Sequence, residues 1–281
     1  VTHVFWAAFA DAPTWPAATE VNRAMLANLV EAVEPVASGL ERVVLVTGTK
    51  YYGTHLGPLK TPMRESDPRH MPPNFYFEQA DFLLERQKGK AWSWTELRPQ
   101  TLCGISPGTP MSILTILACY AAISKELGLK LRFPGKAWRS IYQVTDSEHF
   151  ARAALWAATT PGCANEAFNI TNGDVFRWQH LWPAVARAFD MAPGEPQQTP
   201  LVAYMADKGK LWDAMVRKYG LLPYRLDQLA NWAFGDYVFN ADWDILSSLT
   251  KARQHGFHDI VDTEEMFLRL FARLRAERIV P

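Results

Sequence analysis

Apolar positions in the first hundred residues alternate between short unbroken runs and longer periodic stripes. Residues 1–8 form a short run rich in β-branched and aromatic side chains, the pattern of a buried strand. A turn-rich piece follows, Asp11-Ala12-Pro13-Thr14-Trp15-Pro16. Val21, Met25, Leu29 and Val33 then recur every four residues, and Leu26 and Val30 widen the stripe. This spacing predicts an amphipathic helix with Thr19 as its N-cap and Pro35 beyond its end. Val43-Val44-Leu45-Val46 is continuous and stops at Thr47-Gly48, as a parallel strand covered on both faces should. Gly53, Gly57, Pro58, Pro62, Pro68, Pro72 and Pro73 mark residues 51–73 as a loop. A helix is expected over about 74–88, then a strand over 92–97 that stops at Arg98-Pro99. Strand, helix, strand, loop, helix, strand is the signature of an α/β protein with a parallel sheet.

Ligands of such sheets bind beyond the carboxyl ends of the strands. Residues 7–10, 47–50 and 98–104 occupy those ends, and they converge if the strands are neighbours. Beyond Gly104 the pattern changes. A helix is expected over 111–127, a short strand near 131–133, and a helix after Asp146 striped by Phe150, Ala154, Leu155 and Ala158. Residues 166–170 read as a strand, and the chain after Trp178 as mostly helical. The expected fold is therefore a Rossmann-like, doubly wound parallel sheet in residues 1–110, joined by the strand near 166–171. Residues 111–281 are expected to form a mostly helical cap.

Composition narrows the field. The 281 residues are 48% hydrophobic, enough for a sizeable core. Lys plus Arg and Asp plus Glu both number 29, and no basic run interrupts the sequence, so nucleic acid is not an expected partner. A local phosphate site stays open, because backbone N–H groups suffice for one. No stretch reaches the ~18 apolar residues of a membrane helix, and no membrane partner is expected. Cys103, Cys119 and Cys163 are odd in number and lack CxxC spacing, which argues against a disulfide framework or zinc site and for a reducing cytoplasm. His255-Gly256-Phe257-His258 has too few partners for a metal, so none is expected. The eleven tryptophans imply mainly core packing, with Trp138, Tyr142, Tyr204, Trp232 and Phe234 as candidates to line a pocket.

Two polar residues stand where chemistry is expected. Lys50 directly follows a buried strand, and its ammonium could assist a neighbouring phenol. Position alone leaves it open between that role and a solvated loop lysine. Tyr76 enters a helix after the Pro-rich loop and could donate a proton to a carbonyl. Its neighbours Phe75 and Phe77 equally suit simple aromatic packing.

Linked motifs change this balance. Thr47-Gly48-Thr49-Lys50-Tyr51-Tyr52-Gly53 resembles the TGxKHYxG motif of the progesterone 5-beta-reductase/iridoid synthase-like reductases, within the short-chain dehydrogenase/reductase superfamily. Asn74-Phe75-Tyr76-Phe77-Glu78-Gln79-Ala80-Asp81 is similar to their NFYYxxED. Trp94 through Pro99 and Gly104 through Pro107 resemble WSxxRPxxxxGxSP, and Asn165 through Phe176 resembles NEAFNxxNGDVF. The closing Arg278-Ile279-Val280-Pro281 also fits the family. The order is unbroken along nearly the whole chain, which makes the signal specific.

The resemblance implies Tyr76 and Lys50 as the catalytic pair. Most of the superfamily carries its lysine four residues after the tyrosine, as sugar epimerases and dehydratases do, but that position here is Ala80. The implied reaction is conjugate reduction of an enone or enal with NADP(H), Tyr76 and Lys50 stabilising the enolate. Ala8, Phe9, Thr47, Lys50, Tyr76, Pro99, Thr101 and Leu102 are the implied cofactor contacts. Tyr51, Phe77, Tyr142 and Trp232 are the expected substrate contacts, and Asn22 is a candidate site organiser or merely a polar helix residue. Tyr51 stands where the family has His, Phe77 where it has Tyr, Phe9 where Trp is common, and Gln100-Thr101 replace Gly-Asn; these bear on substrate identity.

A ketone or aldehyde reductase, an epimerase/dehydratase-like enzyme and a non-catalytic NADP(H) sensor stay open beside the leading reading, as does a homodimer. No strand-to-helix turn carries GxxGxxG. The family places it at the first strand, where it holds the pyrophosphate. The expectation is accordingly that the sheet is incomplete at the amino terminus and the chain a fragment, or one numbered from a later point.

Overall fold

The computed structural model describes residues 1–109 and 111–281. Four strands form one parallel sheet: β1 (His3–Trp6), β2 (Arg42–Val46), β3 (Ser93–Pro99) and β4 (Glu166–Ile170), in the order β1-β2-β3-β4. The helices are α1 (Trp15–Val33), α2 (Phe75–Gln87), α3 (Ile113–Glu126), α4 (Ser147–Thr159), α5 (Trp178–Ala188), α6 (Leu201–Met205), α7 (Gly209–Tyr219), α8 (Leu226–Leu229), α9 (Trp232–Phe239), α10 (Thr250–Gln254) and α11 (Thr263–Ala276). The chain divides into two compact units. The first comprises Val1–Gln100, Glu148–Gly173 and Ser247–Asp259; the second comprises Thr101–Ser147, Asp174–Leu246 and Ile260–Pro281.

In the first unit, helices cover both faces of the sheet. Successive side chains of a strand point to opposite faces. Val43 and Leu45 therefore join Leu26 and Val30 of α1 and Ala80 and Leu83 of α2, while Val44 joins Ala153 and Ala157 of α4 and Phe168 and Ile170 of β4. This is why the β2 sequence is apolar without interruption. Each of the larger side chains among them, valine, leucine, isoleucine or phenylalanine, contributes about 1.5–3 kcal/mol when fully buried.

Several local expectations change. Helix α1 starts at Trp15, capped by Thr14, whose hydroxyl accepts from Ala17 N–H at 3.3 Å, with Pro16 in the first turn where its missing N–H costs nothing. Thr19, the expected cap, lies inside the helix and donates its hydroxyl to Trp15 C=O at 2.8 Å. The buried face runs through Ala18, Asn22, Leu26, Ala27 and Val30, whereas Val21 is exposed. Strand β1 is buried unevenly: Trp6 is 8% exposed and Phe5 50%. The buried stripe of α4 is His149, Ala153, Ala157 and Ala158, one position from the expected one, which leaves Leu155 60% exposed. Residues 51–73 are not all loop, since a 3-10 turn spans Thr49–Tyr52.

The second unit is mostly helical. Helix α3 is buried along nearly its whole length. Phe133, Trp178, Trp182 and Phe239 form an aromatic core with ring centroids 5.2–6.4 Å apart. Most tryptophans here serve packing. The strand expected near 131–133 is a two-residue ladder with Pro193–Gly194, outside the main sheet.

A buried ion pair lies inside the first unit. Glu96 and Arg98, two apart on β3, form it at 2.7 Å. Replacing Arg98 by Leu strands a buried carboxylate and is expected to cost about 3–5 kcal/mol. The Glu96→Leu/Arg98→Met double variant should recover most of that loss. Urea unfolding of the three proteins measures both effects.

Candidate active site

The carboxyl ends of β1, β2 and β3 lie side by side, as their parallel pairing requires. The β2 strand leads through Thr47 and Gly48 into the Thr49–Tyr52 turn, which closes at Gly53 in the left-handed region (φ 84°). Gly48 has extended backbone, so its glycine is needed for space and not for strain. A Cβ at Gly48 would lie 3.2 Å from the Tyr76 hydroxyl oxygen and 3.4 Å from the Pro99 carbonyl oxygen. The Tyr76 phenol therefore rests across the ends of β2 and β3. Tyr76 reaches this point from the first turn of α2, where the Asn74 side chain accepts its backbone N–H at 3.0 Å.

Lys50 lies on the turn itself, half-buried, with Nζ 5.7 Å from the centroid of Trp15. Burial pulls its pKa below the ordinary lysine value, and Asp11 partly opposes that shift. The turn is tied down on every side. Thr49 donates its hydroxyl to Gln100 just past β3. Tyr52 donates to Asn169 of β4 at 2.7 Å and accepts from Arg98 at 2.9 Å.

The other expected residues fall into four groups. Ala8 and Phe9 are exposed on the loop after β1, and Phe9 packs on Phe75 at 5.4 Å between centroids. That loop is clamped by Asn22. Its Oδ1 accepts Ala10 N–H at 2.8 Å and its Nδ2 donates to Ala10 C=O at 2.7 Å. Thr47 is buried, with its hydroxyl donated to Glu96 at 2.7 Å. Tyr51 and Phe77 are only 7% and 4% exposed and meet edge to face at 4.9 Å. Arg98 stacks over Tyr51 at 3.5 Å from its centroid, and Arg69 donates to the Tyr51 hydroxyl at 3.0 Å while gripping Asp81 with two bonds of 2.7 Å.

Thr101, Leu102, Tyr142 and Trp232 belong to the second unit. There Thr101 and Tyr142 share a hydroxyl–hydroxyl bond of 2.7 Å. Thr101 adopts φ 29°, a strained value for a β-branched residue. Trp232 opens α9 half-buried.

Sequence reasoning missed Trp15, His55 and His70. Trp15 stacks on His55 at 5.2 Å, and His55 meets His70 edge to face at 5.3 Å. No local signal links residues so far apart in sequence. His255, by contrast, serves packing, since its Nδ1 lies 2.9 Å from Lys251 C=O and its ring packs on Phe168. Burial raises the pKa of the thiols of Cys103 and Cys119, and pushes that of Cys163 up to about 11. No group of three or more metal-ligating side chains occurs among the described residues, and no helix there is long and apolar enough to cross a membrane.

Burial, with the nearby Lys50 charge and then His70, lowers the His55 pKa to about 4. Its folded pKa is below its unfolded one, so its contribution to stability is present above pH ~6.5 and lost as pH falls through about 4. His55→Phe, which keeps a ring on Trp15, is expected to flatten the loss of stability between those limits. Thermal melts across that range measure it, and parallel slopes for both proteins would contradict it.

Comparison with known proteins bears on this arrangement. An (S)-8-oxocitronellyl enol synthase of Nepeta cataria is 37% identical over 293 residues, covering all of this chain and 75% of that protein. One from Camptotheca acuminata is 36% identical with the same coverage. A 3-oxo-Delta(4,5)-steroid 5-beta-reductase of Arabidopsis thaliana is 34% identical, again over the whole chain and 75% of the relative. Among solved structures, RMD from Pseudomonas aeruginosa, complexed with NADPH, is similar in fold. Its TM-score is 0.66 at 15% identity, covering 96% of this chain and 80% of that one. The family described as PRISE-like Rossmann-fold domain matches residues 1–281, and the chain belongs to it.

Proposed function

We propose that the protein is an NADP(H)-dependent oxidoreductase that reduces the activated C=C bond of an enone or enal, with Tyr76 and Lys50 as its catalytic pair. The observation that carries this reading is the seat of the Tyr76 hydroxyl against Gly48 and the Pro99 carbonyl, at the strand ends where α/β sheets bind ligands. The relatives support the substrate class. One is named for a 3-oxo-Delta(4,5)-steroid, which is a conjugated enone.

The side chains suit the chemistry. When bound, NADP(H) supplies the hydride. Ala8, Phe9, Thr47 and Pro99, at the strand ends, together with Lys50 and Tyr76, would hold its nicotinamide end. Tyr76 donates its O–H to the substrate's carbonyl oxygen, where negative charge grows as the β-carbon is reduced. A donor already in place when that charge develops lowers the barrier without reorganisation. Lys50 adds positive charge on the neighbouring turn, and its partial burial strengthens that field. The α-carbon then takes a proton from solvent, and the saturated carbonyl compound leaves.

NADPH oxidation with 2-cyclohexenone, and separately with cyclohexanone, tests the reading. Turnover is expected with the enone alone, and Tyr76→Phe should lower kcat roughly 10²–10³-fold. Turnover of the saturated ketone alone would make it a carbonyl reductase. Cofactor binding without turnover of either would favour a sensor.

Lys50 gives a second test. Its lowered pKa means that the charged form destabilises the fold below that pKa, a cost relieved as pH rises toward the unfolded value. Lys50→Met should therefore lower kcat yet raise the melting temperature at pH 7, by roughly 2–4 °C per kcal/mol relieved. Calorimetry beside the enone assay checks both signs.

A further inference from the structure

Where tyrosine and lysine stand four apart on one helix, the helix itself fixes their spacing. Here the pair is twenty-six residues apart in sequence, on a 3-10 turn and on a separate helix. Something must hold the two backbones in register. Asn74 does so with one side chain. Its Oδ1 accepts the backbone N–H of Tyr76 at 3.0 Å, and its Nδ2 donates to the backbone carbonyl of Lys50 at 3.0 Å. The side chain caps α2 from extended backbone and is 1% exposed.

The Lys50 carbonyl has two other neighbours. Gly53 N–H donates to it at 3.2 Å within the turn, and His70 Nε2 lies 3.0 Å from it, as well as 3.1 Å from Asn74 Nδ2. The Gly53 bond only closes the turn on itself, and His70 belongs to the Pro-rich loop. Of these groups, Asn74 is the one bonded to both members of the pair.

We infer that Asn74 is a positioning residue, whose amide sets the distance between the Tyr76 hydroxyl and the Lys50 ammonium by bridging their backbones. The inference rests on the reading of Tyr76 and Lys50 as the catalytic pair. Capping alone needs only the acceptor, which Asp or Ser supplies as well as Asn. Register between the two elements also needs the donor, which Asp lacks and which Ser is too short to deliver.

The test compares Asn74→Asp, Asn74→Ser and Asn74→Ala in NADPH-dependent reduction of 2-cyclohexenone, with melting temperatures alongside. All three variants are expected to lose kcat by roughly 10²-fold, as a displacement of about 1 Å in a reacting group does, at little-changed KM for NADPH and enone. Asn74→Ala should lose the cap's thermal stability and Asn74→Asp should lose some by burying a carboxylate against the Lys50 carbonyl, whereas Asn74→Ser keeps the cap and most of the stability. If Asn74 merely caps the helix, Asp and Ser keep wild-type kcat and only Ala falls, which overturns the inference. A kcat that tracks melting temperature across the series overturns it too. Tyr76→Phe separates this failure from that of the functional reading. Unchanged turnover there removes the reading and this inference together. Loss there with wild-type kcat in Asn74→Asp removes Asn74 alone.

Discussion

The buried Glu96–Arg98 pair is the point from which the ends of the sheet are hung. The two residues share one face of β3 because they are two apart. Burial opposes the charge on Arg98, but Glu96 beside it more than compensates and holds the guanidinium's pKa above its ordinary value. Glu96 accepts the Thr47 hydroxyl where β2 ends. Arg98 donates to Tyr52, lies over the ring of Tyr51, and reaches the Glu65 carbonyl at 3.3 Å. Tyr52 passes the network on to Asn169 of β4, whose amide also holds Met63 C=O at 3.1 Å. Three strand ends and the turn bearing Lys50 thus depend on one pair. An ion pair so deep is weak as a source of stability, because desolvation offsets much of its attraction. Its effect here is to allow one arrangement of the turn.

That arrangement explains the aromatic residues around the turn. Tyr51 and Phe77 are both packed away from solvent. Arg69 joins them from the Pro-rich loop and closes on Asp81 of α2. The loop is thereby pinned to the helix that carries Tyr76. Asn22 does the same for the loop after β1, and Gln79 of α2 donates to the Asn22 carbonyl at 3.0 Å. Helix α2 therefore holds the Pro-rich loop directly and reaches the loop after β1 through Asn22 of α1.

Much of this was legible in the sequence where the signal is local. The β2 run is apolar because both faces are covered, and β4 spans the expected residues 166–170. What failed was decided by tertiary neighbours. The face of α1 turns toward Asn22 because that amide is bonded to Ala10, a contact no periodicity contains. Residues 1–8 looked buried because they are apolar, yet β1 buries Trp6 and leaves Phe5 50% exposed. At the site, position alone left Lys50 and Tyr76 undecided. Only the linked motifs picked them out.

The length of those motifs has a physical reason. A pair carried on one helix needs a spacing of four residues to be right and little more. A pair assembled from two elements needs the surface between them as well. Gly48 leaves space for the phenol, Gly53 closes the turn, and Asn74 joins the turn to the helix. Neither Gly53 nor Asn74 bears a reacting atom in the proposed chemistry. If Tyr76 and Lys50 are the pair proposed above, the stretch from Thr47 to Gly53 and the opening of α2 carry its geometry as well as its reactive groups, and changes there that spare both residues act on the distance between them.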